Sequence, residues 1–212
     1  MTDNKNRYYY FYIFAALLIL LDQFTKLLFK DIFGIANIFG LQNLDAIASG
    51  RIPVIGDFLQ FVYVENEGMA FGITFGVFKI LLSLFSVAAS IALAYLIYKI
   101  KDNHFAVKLG FSLILAGAAG NLIDRCFYGV FFNEGPLFYG RVVDFIQFDI
   151  PDISFLGLNY SHFPVFNVAD SCVTCGAALL ILFHKKIPHI SFSKSNVQTE
   201  IVPNSTESNK IQ

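Results

Sequence analysis

Acidic and amide side chains recur inside segments oily enough to enter a bilayer, and that pairing narrows the possible folds more than any other feature of the chain. The polar knots are Asp22-Gln-Phe-Thr-Lys26, Asn66-Glu-Gly-Met-Ala-Phe-Gly72, Gly120-Asn-Leu-Ile-Asp-Arg125 with Val142-Val-Asp144-Phe145, and Phe166-Asn-Val-Ala-Asp170. Ionisable groups at membrane depth are costly and survive mainly where they pair or perform chemistry. Several at one depth point to a built site.

Composition sets the class. Of the 212 residues 56% are hydrophobic, and the mean hydropathy is +0.59. Soluble domains reach only about 45–50% apolar even with Gly counted. The formal charge of -1 and the lack of a long Lys/Arg run exclude nucleic acid as an expected partner. Cys126, Cys172 and Cys175 are an odd set, so no disulfide framework is expected. Cys172-Val-Thr-Cys175 lies in an apolar helix without a second ligand pair, and reads as packing. His104, His162, His184 and His189 are scattered, so no metal site is expected.

The expected fold is membrane α-helical: four transmembrane helices with a small extracytoplasmic β-rich region. The spans cover about 8–29, 75–98, 107–123 and 166–183, each near the roughly 20 residues that a bilayer core requires. No small-residue cleavage pattern follows the first span, and Lys26 and Lys30 sit where one would be expected, so this span is expected to be retained and not cleaved as a signal peptide. Residues 1–189 are expected to form a single integral membrane domain, with outer loops at 30–74 and 124–165. The segment 190–212, rich in Ser, Asn and Thr, is expected to be a disordered cytoplasmic tail.

Flanking charge sets direction. Lys5 and Arg7 precede the first span, Lys99, Lys101 and Lys108 fill the link between the second and third, and Lys185 and Lys186 follow the fourth. The first long loop instead carries Asp31, Asp45, Asp57, Glu65 and Glu67 against Arg51. By the positive-inside rule both termini are cytoplasmic and the long loops face out. Helical rise then gives depth: Arg7 to Asp22, Lys108 to Asn121 and Lys185 to Asp170 each cover roughly 20–22 Å. In a core of about 30 Å, three helices therefore deliver Asp22, Asn121 and Asp170 to one level near the outer face. In the loops, Phe58–Val64 and Arg141–Ile150 are rich in β-branched and aromatic residues and read as strands. Residues 31–57, apolar but broken by Gly and Pro53, are expected to include an interfacial amphipathic piece.

Asp22-x-x-Thr25-Lys26, Asn66-x-Gly68-x-Ala70-Phe71, Gly120-Asn121-x-x-Asp124-Arg125, Val142-Val143-Asp144-Phe145 and Phe166-Asn167-x-Ala169-Asp170 stand in that order against four spans. In this the chain resembles the lipoprotein signal peptidases, or signal peptidase II, over about residues 8–186. One such motif would say little; five in order are specific. The resemblance implies an intramembrane aspartic endopeptidase of the bacterial cytoplasmic (inner) membrane, with its active site toward the outer face. Its partners would be membrane lipid and prolipoprotein signal peptides bearing a diacylglyceryl-Cys, with cleavage just before that Cys.

Carried over residue by residue, the resemblance makes Asp144 and Asp170 the catalytic dyad. Two close carboxylates cannot both ionise cheaply, so they share a proton. The ionised one acts as base on a water between them while the protonated one polarises the scissile carbonyl. Asn66, Asn121, Asn167 and Arg125 are candidate donors to the gem-diol, and no metal or cofactor is required. Asp124 competes with Asp144 for the dyad position, but it adjoins Arg125, whereas Asp144 lies between Val143 and Phe145, where desolvation favours a shared proton. Asp124-Arg125 is expected to be a structural ion pair at the end of the third span, with a substrate-facing Arg125 as the alternative.

Asp22 and Lys26, at i and i+4, are expected to pair and support the site. Gly68 is expected to allow a backbone bend near substrate. Asp170 could instead merely cap the fourth span, although Asn167 is better placed for that. Family members usually join the Asp-Arg and Val-Val-Asp-Phe elements by a short turn, whereas here Cys126 to Gly140 intervenes with six aromatic residues. That insertion could form a lid, an interfacial anchor or a partner surface. The rival reading from another class is a small ion- or solute-coupled transporter, which also places carboxylates in helices. Against it, no polar path continues toward the cytoplasm.

Overall fold

The computed structural model describes residues 8–30, 51–67, 76–155 and 158–188. Gly68, residues 31–50 of the stretch expected to hold an amphipathic piece, and the C-terminal tail 190–212 lie outside the described residues, while Arg51–Ile55 of that stretch is a strand. Four helices run over Tyr9–Phe29 (α1), Gly76–Lys99 (α2), Phe105–Ile123 (α3) and Val168–Leu182 (α4). Four strands, Arg51–Ile55 (β1), Leu59–Asn66 (β2), Val142–Phe155 (β3) and Leu158–His162 (β4), pair antiparallel in sequence order.

Large apolar side chains face outward on the helices, and α1 buries a charged pair. On α1 the buried residues are Phe11, Ala15, Asp22 and Lys26, while Leu17, Leu20 and Phe24 are exposed. That is the reverse of a helix on a water-soluble core, and it suits a helix whose outer solvent is lipid. Two hydroxyls tie the helices together through carbonyls: Tyr12 Oη donates to Ala94 O at 2.6 Å and Ser112 Oγ to Phe11 O at 2.6 Å. At the opposite end from Lys26, Phe11 and Ala15 pack with Ile97 of α2 and with Leu115 and Ala116 of α3.

Among the described residues three helices are long and apolar enough to cross a membrane, counting α3 together with its continuation. The 15 residues of α4 rise only about 22 Å. The expected fourth span of 166–183 is thus shorter at both ends. Phe166 is taken up by an isolated bridge to Ile146, and Asn167 caps the helix.

The third span departs further from expectation. The chain does not leave the helix at residue 124; it continues through a π-helical turn, Asp124–Tyr128, and an α-turn, Gly129–Phe131. Part of the expected outer loop is therefore helix. A π-turn widens the backbone locally and is frequent at functional sites. The chain then folds back through Asn133 and Phe138, both with positive φ (56° and 69°). For Phe this conformation is uncommon. It is held by Phe138 N donating to Cys126 O at 3.1 Å and Phe138 O accepting from Ser83 Oγ at 3.3 Å. Gly140 closes the lobe so tightly that a Cβ there would lie 2.0 Å from Asp124 O.

The sheet is seated on the end of α1. Phe29 stacks on Phe145 of β3, with centroids 4.3 Å apart and planes 14° from parallel, and meets Phe61 of β2 edge-on. Between the pairs Phe61↔Ile146 and Val64↔Asp144 the register shifts, so β2 carries one extra residue. Such a bulge bends the strand and re-aims side chains. Beyond it lies Asn66.

Candidate active site

Asp144 reaches the site from β3 and Asp170 from the first turn of α4. What brings these elements together is the Phe166 bridge: Ile146 N donates to Phe166 O at 2.8 Å and Phe166 N to Ile146 O at 3.0 Å. One residue later Asn167 opens α4 with a capping box, its Oδ1 accepting from Asp170 N at 2.9 Å while Asp170 Oδ2 accepts from Asn167 N at 3.2 Å. A capping box satisfies two helix-end donors reciprocally. Asp170 therefore does serve the cap, and its Oδ1 remains for Asn121 Nδ2, which donates at 2.8 Å.

Asn167 also links the two carboxylates. Its Nδ2 donates to Asp144 Oδ1 at 2.6 Å, with Asn121 Oδ1 at 3.1 Å and Val143 O at 3.3 Å as further acceptors. Asp144 Oδ2 accepts from Asn66 Nδ2 at 3.1 Å. Burial pushes the Asp144 carboxyl up to about 6; the Asn66 amide pulls against that rise and the charge of Asp170 adds to it. Both effects follow from which protonation state each neighbour favours.

Beneath the carboxylates lies a buried cation. Lys26 Nζ is 2.8 Å from Asp22 Oδ2, 2.8 Å from Asp124 Oδ2 and 2.9 Å from Asn121 Oδ1, so all three ammonium donors are used. Lys26 and Asp124 are both 0% exposed. A charge so buried is tolerable only when fully paired. Asp22 Oδ1 accepts from Ala169 N at 2.8 Å, which fixes the start of α4 to α1. Gly120 makes the approach possible, since a Cβ there would stand 2.6 Å from Asp22 Oδ2.

The expected Asp124-Arg125 ion pair is replaced by another. Asp124 pairs with Lys26, accepts from Gln23 Nε2 at 2.8 Å and from Val143 N at 3.4 Å, and thereby braces the strand that carries Asp144. Consecutive helical residues point about 100° apart, so one inward side chain directs its neighbour elsewhere. Arg125 Nη1 donates to Asn121 O at 3.4 Å, and its charge faces Asp144 and Asp170 as well as Asp124.

Sequence reasoning passed over Gln23. It donates to Asp22, Gly120 O and Asp124 and accepts from Tyr128 Oη at 3.1 Å. An uncharged amide beside Asp22 within a span was the available signal. Among the described residues no group of three or more His, Cys, Asp or Glu could hold a metal ion, and the three cysteines are free thiols.

The chain as a whole is similar to proteins already known. The family described as Signal peptidase (SPase) II matches residues 14–185. A lipoprotein signal peptidase of Pelodictyon phaeoclathratiforme is 38% identical over 178 residues, covering 84% of this chain and 90% of that protein. One from Porphyromonas gingivalis is 34% identical over 203 residues, covering 82% and 83%. Among solved structures, a bacterial membrane enzyme superposes with a TM-score of 0.59 at 28% identity, covering 84% of this chain and 94% of that one.

Proposed function

The chain belongs to the signal peptidase II family, and from that membership and the site geometry we propose that Asp144 and Asp170 are its catalytic dyad. The protein is a membrane protease that removes signal peptides from prolipoproteins. The transporter reading gains no support from any of these relatives.

One observation carries the dyad assignment: Asn167 binds both carboxylates, Asp144 through its side-chain amide and Asp170 through its backbone N–H. Two carboxylates held against one residue, with one lifted to about 6, are suited to sharing a proton. In the proposed cycle the ionised partner takes a proton from a water between them. That water attacks the scissile carbonyl, which the protonated partner polarises. Asn66, Asn121 and Arg125 stand near enough to the pair to stabilise the gem-diol, and collapse returns the proton to the leaving amine. Lys26, Asp22 and Asp124 form the frame beneath.

The substrate reading is that the enzyme takes diacylglyceryl-modified precursors from the bilayer and cleaves just before the lipidated Cys. All four helices cross a bacterial cytoplasmic membrane, both termini are cytoplasmic, and the sheet and lobe lie at the outer face. The experiment is cleavage of a lipid-modified precursor, and of its unlipidated counterpart, by purified protein. Asp144→Asn and Asp170→Asn each abolish cleavage of the lipidated form while keeping a folded protein. Normal turnover by folded Asp144→Asn, or equal cleavage of the unlipidated precursor, rejects the corresponding part of the reading.

A further inference from the structure

Glu65, Asn66 and Glu67 follow one another at the end of β2, and Arg141 sits just ahead of β3 beside them. Arg141 Nη1 is 3.1 Å from Glu65 Oε2, and Nη2 is 2.9 Å from Glu67 Oε1. Successive residues of an extended chain face opposite ways. The guanidinium fork therefore bridges two carboxylates on one side, and Asn66 between them turns to the other, where it donates to Asp144 Oδ2.

A planar fork with fixed donors suits two carboxylates at once in a way that a lysine does not. Further cations hold each end. Lys30 pairs with Glu65, and Lys79 Nζ lies 3.1 Å from Glu67 Oε2, so α1, α2 and β2 are joined through one chain of charges. Asn66 stands in the last ladder pair, opposite Val142. Strand ends open most readily, which is where a clamp has most effect.

We propose that Arg141 is a positioning residue: by bridging Glu65 and Glu67 it holds Asn66 against Asp144. This rests on the assignment of Asp144 to the dyad. Among the described residues the charged groups facing Asp144 are Asp170, Lys26 and Arg125, and none of these three belongs to the clamp. The Asn66 donor favours the ionised carboxylate, so releasing it makes the pair hold its last proton more tightly.

The test is the pH profile of kcat/KM on a lipidated precursor, with thermal midpoints recorded for each variant. Arg141→Ala should move the alkaline limb upward by roughly 1–2 pH units, as expected for losing one hydrogen bond to a charged group. Asn66→Ala should move it equally, and Arg141→Ala added to Asn66→Ala should move it no further. Arg141→Lys keeps the charge but loses the fork, so its limb should stay displaced. Return of the Lys variant to the wild-type profile would mean a long-range field and not a clamp. A further shift in the Asn66→Ala background would also overturn the proposal. Should Arg141→Ala fail to fold, Glu67→Gln opens one arm of the same clamp and should shift the limb in the same direction; an unmoved limb rejects it. Failure of the dyad reading shows separately, as normal cleavage by folded Asp144→Asn.

Discussion

Lys26 of α1 and Asp124 of the π-turn meet at 2.8 Å with neither side chain exposed to solvent. Their contact, and not the neighbouring Asp124-Arg125 pair, anchors the end of the third span. Removing one member of a buried pair strands the other, at a cost of about 3–5 kcal/mol.

Lys26→Met should accordingly destabilise the protein by about that amount, because it leaves Asp22 and Asp124 facing each other without a cation. Asp124→Asn keeps a polar group of the same shape, so it should lower the thermal midpoint yet retain some cleavage. A well-folded Asp124→Asn that cleaves nothing would place Asp124 in the chemistry.

Asn167 combines two tasks that one substitution can separate. Asn167→Ser keeps an oxygen able to accept from Asp170 N, and Asn and Ser rank alike as caps, so the cap should be nearly unchanged. It removes the amide donor at 2.6 Å from Asp144 Oδ1, so kcat should fall on the order of 10-fold or more. Wild-type kcat in this variant would confine Asn167 to capping.

The lobe between Cys126 and Gly140 can now be divided. Tyr128 and Phe138 are tied into the bundle, whereas Phe127, Val130, Phe131 and Leu137 are exposed. Val130→Ser with Phe131→Asn and Leu137→Ser should leave folding intact and raise KM several-fold for some precursors with kcat unchanged. That pattern marks lost binding shared by ground and transition states. Wild-type kinetics across several precursors would deny the lobe a role in substrate entry or retention.

Glu65 sets a pH dependence at the rim. Burial opposes its charge, but Lys30, Tyr63 and Arg141 outweigh this and hold its carboxyl at about 2, below the usual 4.5. A carboxyl lowered on folding contributes stability that is present above 4.5 and is lost as pH falls toward 2. The melting difference between wild type and Glu65→Gln should thus be full at pH 6 and shrink steadily below pH 4.5. A difference independent of pH would show that Glu65 acts through packing.

The lysine distribution carries the topology proposal. Reporters fused after Lys101 and after Lys186 should both read as cytoplasmic. An external signal from either breaks it.

The sequence by itself determined the long apolar helices, the two main strands and the meeting of Asp22, Asn121 and Asp170, because each depends on local period and length. Asp22 with Lys26 was legible for the same reason: i,i+4 spacing is a property of one helix. Only tertiary structure decided which acid Lys26 would take as its second partner, that Asn167 would reach Asp144, and that Arg141 would bridge Glu65 and Glu67. These contacts join residues from separate elements, and their geometry depends on a π-turn, a strand bulge and a β-bridge that no local pattern announces. A span's hydropathy carries no record of where its helix stops when, as at Asp124, the residue that should end it is neutralised by a lysine from another helix.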